Sequence, residues 1–197
     1  STQPDEAGAR PAILATIYLA ILLLLMAVPL GVATAVYLEE YARKERWYNR
    51  LLELNIQNLA AVPAIVYGIL GLAFVVRGPV GIGRVLLAGA IILTLVVLPT
   101  VIIASREAIR SVPDSIRQGG YALGATKWQV VSRQVLPASI PGIATGSILA
   151  LSRAVGETAP LLLIGATVFV TFDPTPFGAD GYSAMPVQIF NYALRPQ

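Results

Sequence analysis

Four long runs of this 197-residue chain carry almost no charge, and that feature leaves few folds open. Residues 11–38 hold no charged side chain over 28 positions, 54–76 none over 23, and 85–105 none over 21. Residues 138–172 are interrupted only by Arg153 and Glu157. A helix that spans a bilayer needs about 20 predominantly apolar residues, so each run is long enough to cross once. Pro29, Pro63, Pro99 and Pro160 fall inside the runs. In water they would argue against helices, but a membrane bundle tolerates them, because neighbouring helices and waters satisfy the freed carbonyls. The pattern predicts an all-α polytopic transmembrane helix bundle with about four spanning helices, in one domain over 1–197. Apolar residues make up 56% of the chain and charged ones 13%, against about 45–50% and about 25% in soluble domains. That excludes an ordinary water-soluble enzyme, and disorder too.

The charges sort the linkers. Segments 39–53 and 106–137 carry Arg43, Lys44, Arg46, Arg50, Arg106, Arg110, Arg117, Lys127 and Arg133. Arg10, Arg77, Arg84 and Arg195 fall on the other side, and Arg153 lies inside a run. Cytoplasmic loops are enriched in Lys and Arg, so 39–53 and 106–137 are expected in the cytoplasm and both chain ends outside. Tyr37, Tyr41, Trp47 and Tyr48 cluster at the expected inner interface, where amphipathic rings prefer to sit. The chain has no Cys and no His, which removes the usual thiol nucleophile, general base and zinc ligands. Both lysines, Lys44 and Lys127, fall outside the runs, so a Ser–Lys dyad at membrane depth is disfavoured as well.

Segment 106–137 is too long for a simple turn. Val112-Pro113-Asp114 is a helix-start signal, with Asp114 or Ser115 as candidate caps, and a short helix is expected from about 115 to 123. Gly119, Gly120, Ala122, Gly124 and Ala125 present little bulk, so another surface could approach the backbone closely. Residues 127–136 form an amphipathic segment with Trp128, Val131, Val135 and Leu136 apolar, and Pro137 is expected to open the next span. Either the loop folds over the inner face of its own bundle, or it docks a partner. No Gly-Lys dipeptide and no G-x-G-x-x-G occurs, so neither familiar nucleotide-phosphate loop is present.

Arg153 and Glu157 stand four apart within the last run and can share a helix face. An ionisable residue at mid-membrane costs about 2.5–3.5 kcal/mol on insertion scales, so two of them need a reason. One reading is an internal ion pair that fixes the helix. The other is a polar path for an anion, because the planar guanidinium matches phosphate oxygens, with Glu157 holding Arg153 when the path is empty and Thr158 adding a hydroxyl. Smaller features stay open. Gly142 and Gly146 allow a close helix contact or a dimer motif. Asn55, Gln57 and Asn58 suit either a pore or a solvated helix end. Asp173 and Asp180 suit either a solvated external loop or contact with a soluble binding protein.

Gly124, then Gln134 and Leu136-Pro137 after fixed spacings, resembles the EAA loop of ABC importer permeases of the MetI-like architecture. The two small residues fall at Gly119 and Gly120, and Gln118 stands where the family has an acid. In that family the loop carries a coupling helix seated on an ATP-hydrolysing subunit. The resemblance therefore implies docking through Gln118, Gly119, Gly120, Ala122, Gly124, Ala125, Leu136 and Pro137, within a coupling loop over 106–137. The stretch Arg153-Ala154-Val155-Gly156-Glu157-Thr158-Ala159-Pro160 resembles the PstA-type permeases of the bacterial phosphate importer. Pro29-Leu30-Gly31, Tyr37 to Ala42, Pro186 to Ile189 and Asn191-Tyr192 add to the likeness. It implies a phosphate-transport permease of the bacterial inner membrane with Arg153, Glu157 and Thr158 on the substrate path. The implied partners are a homologous second permease, two cytoplasmic ATP-binding subunits, an extracytoplasmic phosphate-binding protein, inorganic phosphate and membrane lipid, with no nucleic acid. No catalytic residue, metal or cofactor is implied, and the alternative cargo is another oxyanion or small solute. Family members usually have a further span at each end, so the resemblance makes this chain an internal fragment.

Overall fold

The computed structural model describes residues 9–43, 46–166, 174–175 and 181–194. Among them, all regular structure is helical. Helix α1 runs over Arg10–Tyr41, its last turn, Tyr37–Tyr41, widened to a π-helix. α2 covers Trp47–Ala61 and α3 Ala64–Val76. α4 is Leu86–Arg110, α5 Asp114–Ala122 and α6 Lys127–Gly156. Two shorter helices follow, α7 at Ala159–Leu163 and α8 at Met185–Ala193.

Helices α1, α4 and α6 are long and apolar enough to cross a membrane, and the number rises to 4 if α2 and α3 form one broken crossing. Some hydroxyls inside these helices bond to carbonyls one turn back, as Thr16 does to Ala12 at 2.8 Å and Thr145 to Pro141 at 2.9 Å, so these polar side chains are satisfied within their own helix.

Two expected spans differ in detail. The run 54–76 is not one helix: it breaks at Val62 and Pro63, and Pro63 becomes the N-cap of α3. Proline disfavours the helical conformation of the residue before it, and here that preference sets the break. The run 138–172 likewise ends its helix at Gly156, and Pro160 lies in the first turn of α7 rather than inside a continuous span. Residues 167–172 lie outside the described residues. At the other end, α6 begins at Lys127 instead of at Pro137. A capping box explains the early start: Gln129 N–H donates to Thr126 Oγ1, and Thr126 N–H to the Gln129 side chain.

The chain divides into two compact units. The first comprises Ser1–Met26, Val62–Val96 and Leu151–Gln197. Within it, α3 approaches α7 at Gly68, where an added Cβ would come within 2.7 Å of the Pro160 Cα. Tyr182 is fully buried with its hydroxyl against Gly89, and burial pushes its phenol pKa upward. Met185 N–H donates to Thr16 Oγ1 at 3.0 Å, which fixes the start of α8. The second unit comprises Ala27–Ala61 and Val97–Ala150. Its core includes Ala35, Ile109, Val112, Val130 and Val135, with Val36 and Ala125 packed on it. Gly142 and Gly146 lie against Ala108 and Ala104 of α4, where a Cβ would meet theirs at 2.8 and 2.5 Å. The small-residue pair therefore serves a helix contact inside this chain.

Candidate functional site

Segments 39–53 and 106–137, expected on one side of the membrane, meet in the second unit through a network of ion pairs. Arg106 donates from Nε to Glu39 Oε1 at 2.6 Å and also pairs with Glu53. Arg110 reaches Glu39 at 2.9 Å and Glu107 at 3.1 Å. The side chains of Arg106 and Glu39 are only 8% and 5% exposed. Arg117, on α5, pairs with Glu40 at 2.9 Å and donates to the carbonyls of Val112 at 2.6 Å and Ile109 at 3.0 Å. The final carbonyls of a helix lack partners within it, and Arg117 serves one of these, Ile109 at the end of α4, together with Val112 just beyond it. One side chain thus links α5 to the π turn of α1 and to the exit of α4. Sequence reading counted these arginines only as topology signals. The available clue was Glu39-Glu40 directly after an uncharged run, matched by arginines spaced four apart directly after another.

The short helix expected near 115–123 is α5. Its N-cap is Pro113 with no side-chain cap, so Asp114 and Ser115 do not take that role. The Asp114 carboxylate instead pairs with Arg117 at 3.2 Å. The two small residues face different surroundings. Gly119 has open space where a Cβ would stand, whereas a Cβ at Gly120 would come within 2.7–2.8 Å of Gln134 and Val130 of α6. Gly124 ends the helix at φ +78°. Its N–H donates to the Tyr121 carbonyl and that of Ala125 to the Gly120 carbonyl. This is the paired closure for which a left-handed glycine is suited. The turn leaves Leu123 88% exposed, and Gln118, Ala122 and Trp128 also stand off the core, while Val131 and Val135 are buried. Leu136 and Pro137 lie in the first half of α6, with Leu136 half-buried and Pro137 exposed. An exposed apolar tip on a helix held by a buried charge network is a surface suited to a partner.

Arg153 and Glu157 lie in the first unit, where α6 ends. Arg153 Nε stands 3.6 Å from Glu157 Oε1 with no hydrogen bond between them, and the side chains are 63% and 21% exposed. Glu157 and Thr158 fall in the break before α7, and Thr158 Oγ1 reaches only the Gly156 carbonyl, at 3.5 Å. Arg153 thus lies in the last turn of α6, and Glu157 and Thr158 in the unwound break that follows it, with the Arg153 guanidinium near a single carboxylate among the described residues. Asn55, Gln57 and Asn58 are exposed on α2, with Asn55 bonded to the Leu51 carbonyl at 2.8 Å. Asp173 and Asp180 lie outside the described residues.

Residues 27–177 match the family described as "Binding-protein-dependent transport system inner membrane component". Similar proteins include the probable ABC transporter permease protein YqgH of Bacillus subtilis, 39% identical over 81% of this chain and 53% of its own length. The phosphate transport system permease protein PstA 1 of Mycobacterium tuberculosis is 38% identical over 87% of this chain and 55% of its own. PstA of Mycobacterium leprae is 35% identical over 98% and 63%. The chain thus spans between half and two thirds of the length of these curated relatives. A chain of the MetNI methionine ABC transporter, in an inward-facing conformation, matches the fold with a TM-score of 0.66 at 19% identity, covering 98% of this chain and 84% of that one. Long apolar helices and an inner-membrane family together make this a multi-pass membrane protein.

Proposed function

We propose, because the chain belongs to the family of binding-protein-dependent transport system inner membrane components, that it is the permease subunit of an ATP-driven importer of inorganic phosphate. In this reading Arg153, Glu157 and Thr158 lie on the translocation path. Gln118, Gly119, Gly120, Ala122, Gly124, Ala125, Leu136 and Pro137 belong to the region that docks an ATP-hydrolysing subunit. A second permease completes the path, and an extracytoplasmic binding protein delivers the solute. The observation that carries the reading is the state of Arg153: mostly exposed, unbonded and touched by a single carboxylate at 3.6 Å. A guanidinium in that state offers the planar pair of donors that a tetrahedral oxyanion accepts. The PstA names of the relatives favour phosphate among oxyanions.

The chain's part is movement, with no bond chemistry of its own. ATP binding and hydrolysis in the docked subunits would displace α5. Arg117 would pass that displacement to Glu40 at the end of α1 and to the carbonyls of Ile109 and Val112 at the exit of α4. The solute moves in one direction only if the two states differ in affinity for it. Glu157 supplies a means, since it competes with the anion for Arg153 and regains it when the anion leaves. The test is radiolabelled phosphate uptake by the full-length permease with its neighbouring subunits, in a host lacking its own phosphate importer. ATP-dependent uptake suppressed by phosphate but not by sulfate or molybdate is the expected result. Uptake of a different solute would leave the permease standing and remove phosphate.

A further inference from the structure

We propose that an apolar groove in the second unit, where the end of α1 meets the start of α6, seats one acyl chain of an anionic membrane phospholipid, with the lipid phosphate at Lys127. The groove has a volume of about 410 Å³ and runs along α1 from Pro29 to Tyr41 and along α6 from Trp128 to Leu136. Ala33, Tyr37 and Trp128 stand exposed on its walls. Water does not fill a hollow with an apolar lining, and beside membrane-spanning helices the available medium is lipid. Both helices widen to π-helical turns at its border, Tyr37–Tyr41 and Val131–Val135, and such turns are frequent at functional sites.

Depth and charge select the occupant. The α1 wall from Pro29 to Tyr41 rises about 18 Å, close to the roughly 15 Å of hydrocarbon that one leaflet contributes. A spanning helix of a second permease needs a seat across both leaflets, about 30 Å, whereas an acyl chain needs one. Tyr41 and Trp128 stand at the end away from Pro29, and amphipathic rings of this kind favour the membrane interface. Beside them, Lys127 holds its Nζ 5.1 Å from the centre of the Tyr41 ring. Lys127 is exposed and has no ion-pair partner among the described residues. The two carboxylates of the same π turn, Glu39 and Glu40, are 5% and 8% exposed and are held by Arg106, Arg110 and Arg117. The mouth therefore presents a cation while its acids are already engaged, and an anionic headgroup complements it. Phosphatidylcholine carries the same phosphate but adds a quaternary ammonium, which Lys127 repels. The inference rests on this groove alone and is independent of the cargo and of Arg153.

The test uses the full-length permease, assembled with its neighbouring subunits, in phosphatidylcholine nanodiscs containing phosphatidylglycerol with a photoreactive group on its acyl chain. Labelling should saturate with probe concentration and fall on peptides from 29–41 and 128–136. Unlabelled phosphatidylglycerol should displace it, and added phosphatidylcholine should not. Lys127→Gln should raise the half-saturating concentration about fivefold, the effect of one lysine at an anionic membrane surface. Ala33→Trp, which fills the groove from an exposed position, should remove the saturable labelling at an unchanged melting temperature. If that variant melts early, the decision rests on Lys127→Gln, which alters only an exposed side chain. Labelling that never saturates and is equal in wild type and Lys127→Gln is that of bulk lipid and overturns the site. Displacement by phosphatidylcholine as effective as by phosphatidylglycerol overturns the pairing of Lys127 with an anionic headgroup. Absence of label from both stretches means that a second permease or another copy of this chain covers the groove, which overturns the proposal as well.

Discussion

Two of the arginine–glutamate groups among the described residues, one around Arg106 and Glu39 and one at Arg153, are built in opposite ways. In the first, Arg106 and Glu39 are buried, hydrogen-bonded and shared among several partners, with contacts to Glu39 of 2.6–2.9 Å. Around Arg153 there is one carboxylate, no hydrogen bond and a mostly exposed guanidinium. A buried charge whose partner is removed is strongly destabilising, whereas an exposed pair is worth about 0–1 kcal/mol. The first set therefore holds helices in place. The second contributes little to the fold, and its open donors suit a ligand. An ion pair in a membrane protein is read by how completely its charges are satisfied, more than by its presence.

The contrast is most easily broken at the buried network. Arg106→Met should cost about 3 kcal/mol, the low end of the range for a disrupted buried pair, because Arg110 still reaches Glu39. Denaturant unfolding in detergent measures it, and a loss below about 1 kcal/mol would make the network as dispensable as a surface pair. Next in size is Gly124→Ala, which forces a side chain into left-handed backbone at a cost of about 1–2 kcal/mol. Gly119→Ala should go the other way, gaining about 0.5–1 kcal/mol for a helix-interior glycine with open space beside it. The two melting temperatures should therefore move in opposite directions. The smallest effect is expected at Glu157→Gln. Loss of an exposed i,i+4 pair worth about 0.3–0.5 kcal/mol leaves stability nearly unchanged. Removing the competitor for Arg153 should lower the KM for phosphate about twofold, the same energy read as affinity. An increased KM would make Glu157 a ligand-binding group instead of a competitor.

Much of this organisation is legible in the sequence. Two uncharged runs gave α1 and α4, and the run interrupted only by Arg153 and Glu157 gave most of α6, because twenty apolar residues have few alternatives to a membrane helix. The helix α5 followed from the start signal Val112-Pro113-Asp114. The breaks at Val62 and at Glu157 were harder to read, since hydropathy averages over a proline that bends or restarts a helix. The early start of α6 depended on Thr126 and Gln129 bonding to each other's backbone, and a capping box at the head of a segment already marked amphipathic was the signal for it. The network around Arg106 was hidden for a different reason: Glu39 and Arg106 are 67 residues apart, and one sequence gives no indication of which charges on one side of a membrane will meet. Arg153 and Glu157 were conspicuous because charge at membrane depth is rare. Their loose geometry, on which the functional reading rests, required the structure.

The most direct test of the central claim is ATP-dependent phosphate uptake by Arg153→Ala in reconstituted, fully assembled complexes, beside wild-type complexes of equal melting temperature. The account predicts that uptake falls about a hundredfold, the value of two charge-assisted hydrogen bonds to the anion, while the melting temperature is unchanged. Normal uptake with Arg153 removed would show that the exposed guanidinium is not on the path and that the contrast between the two ion-pair regions has no bearing on transport.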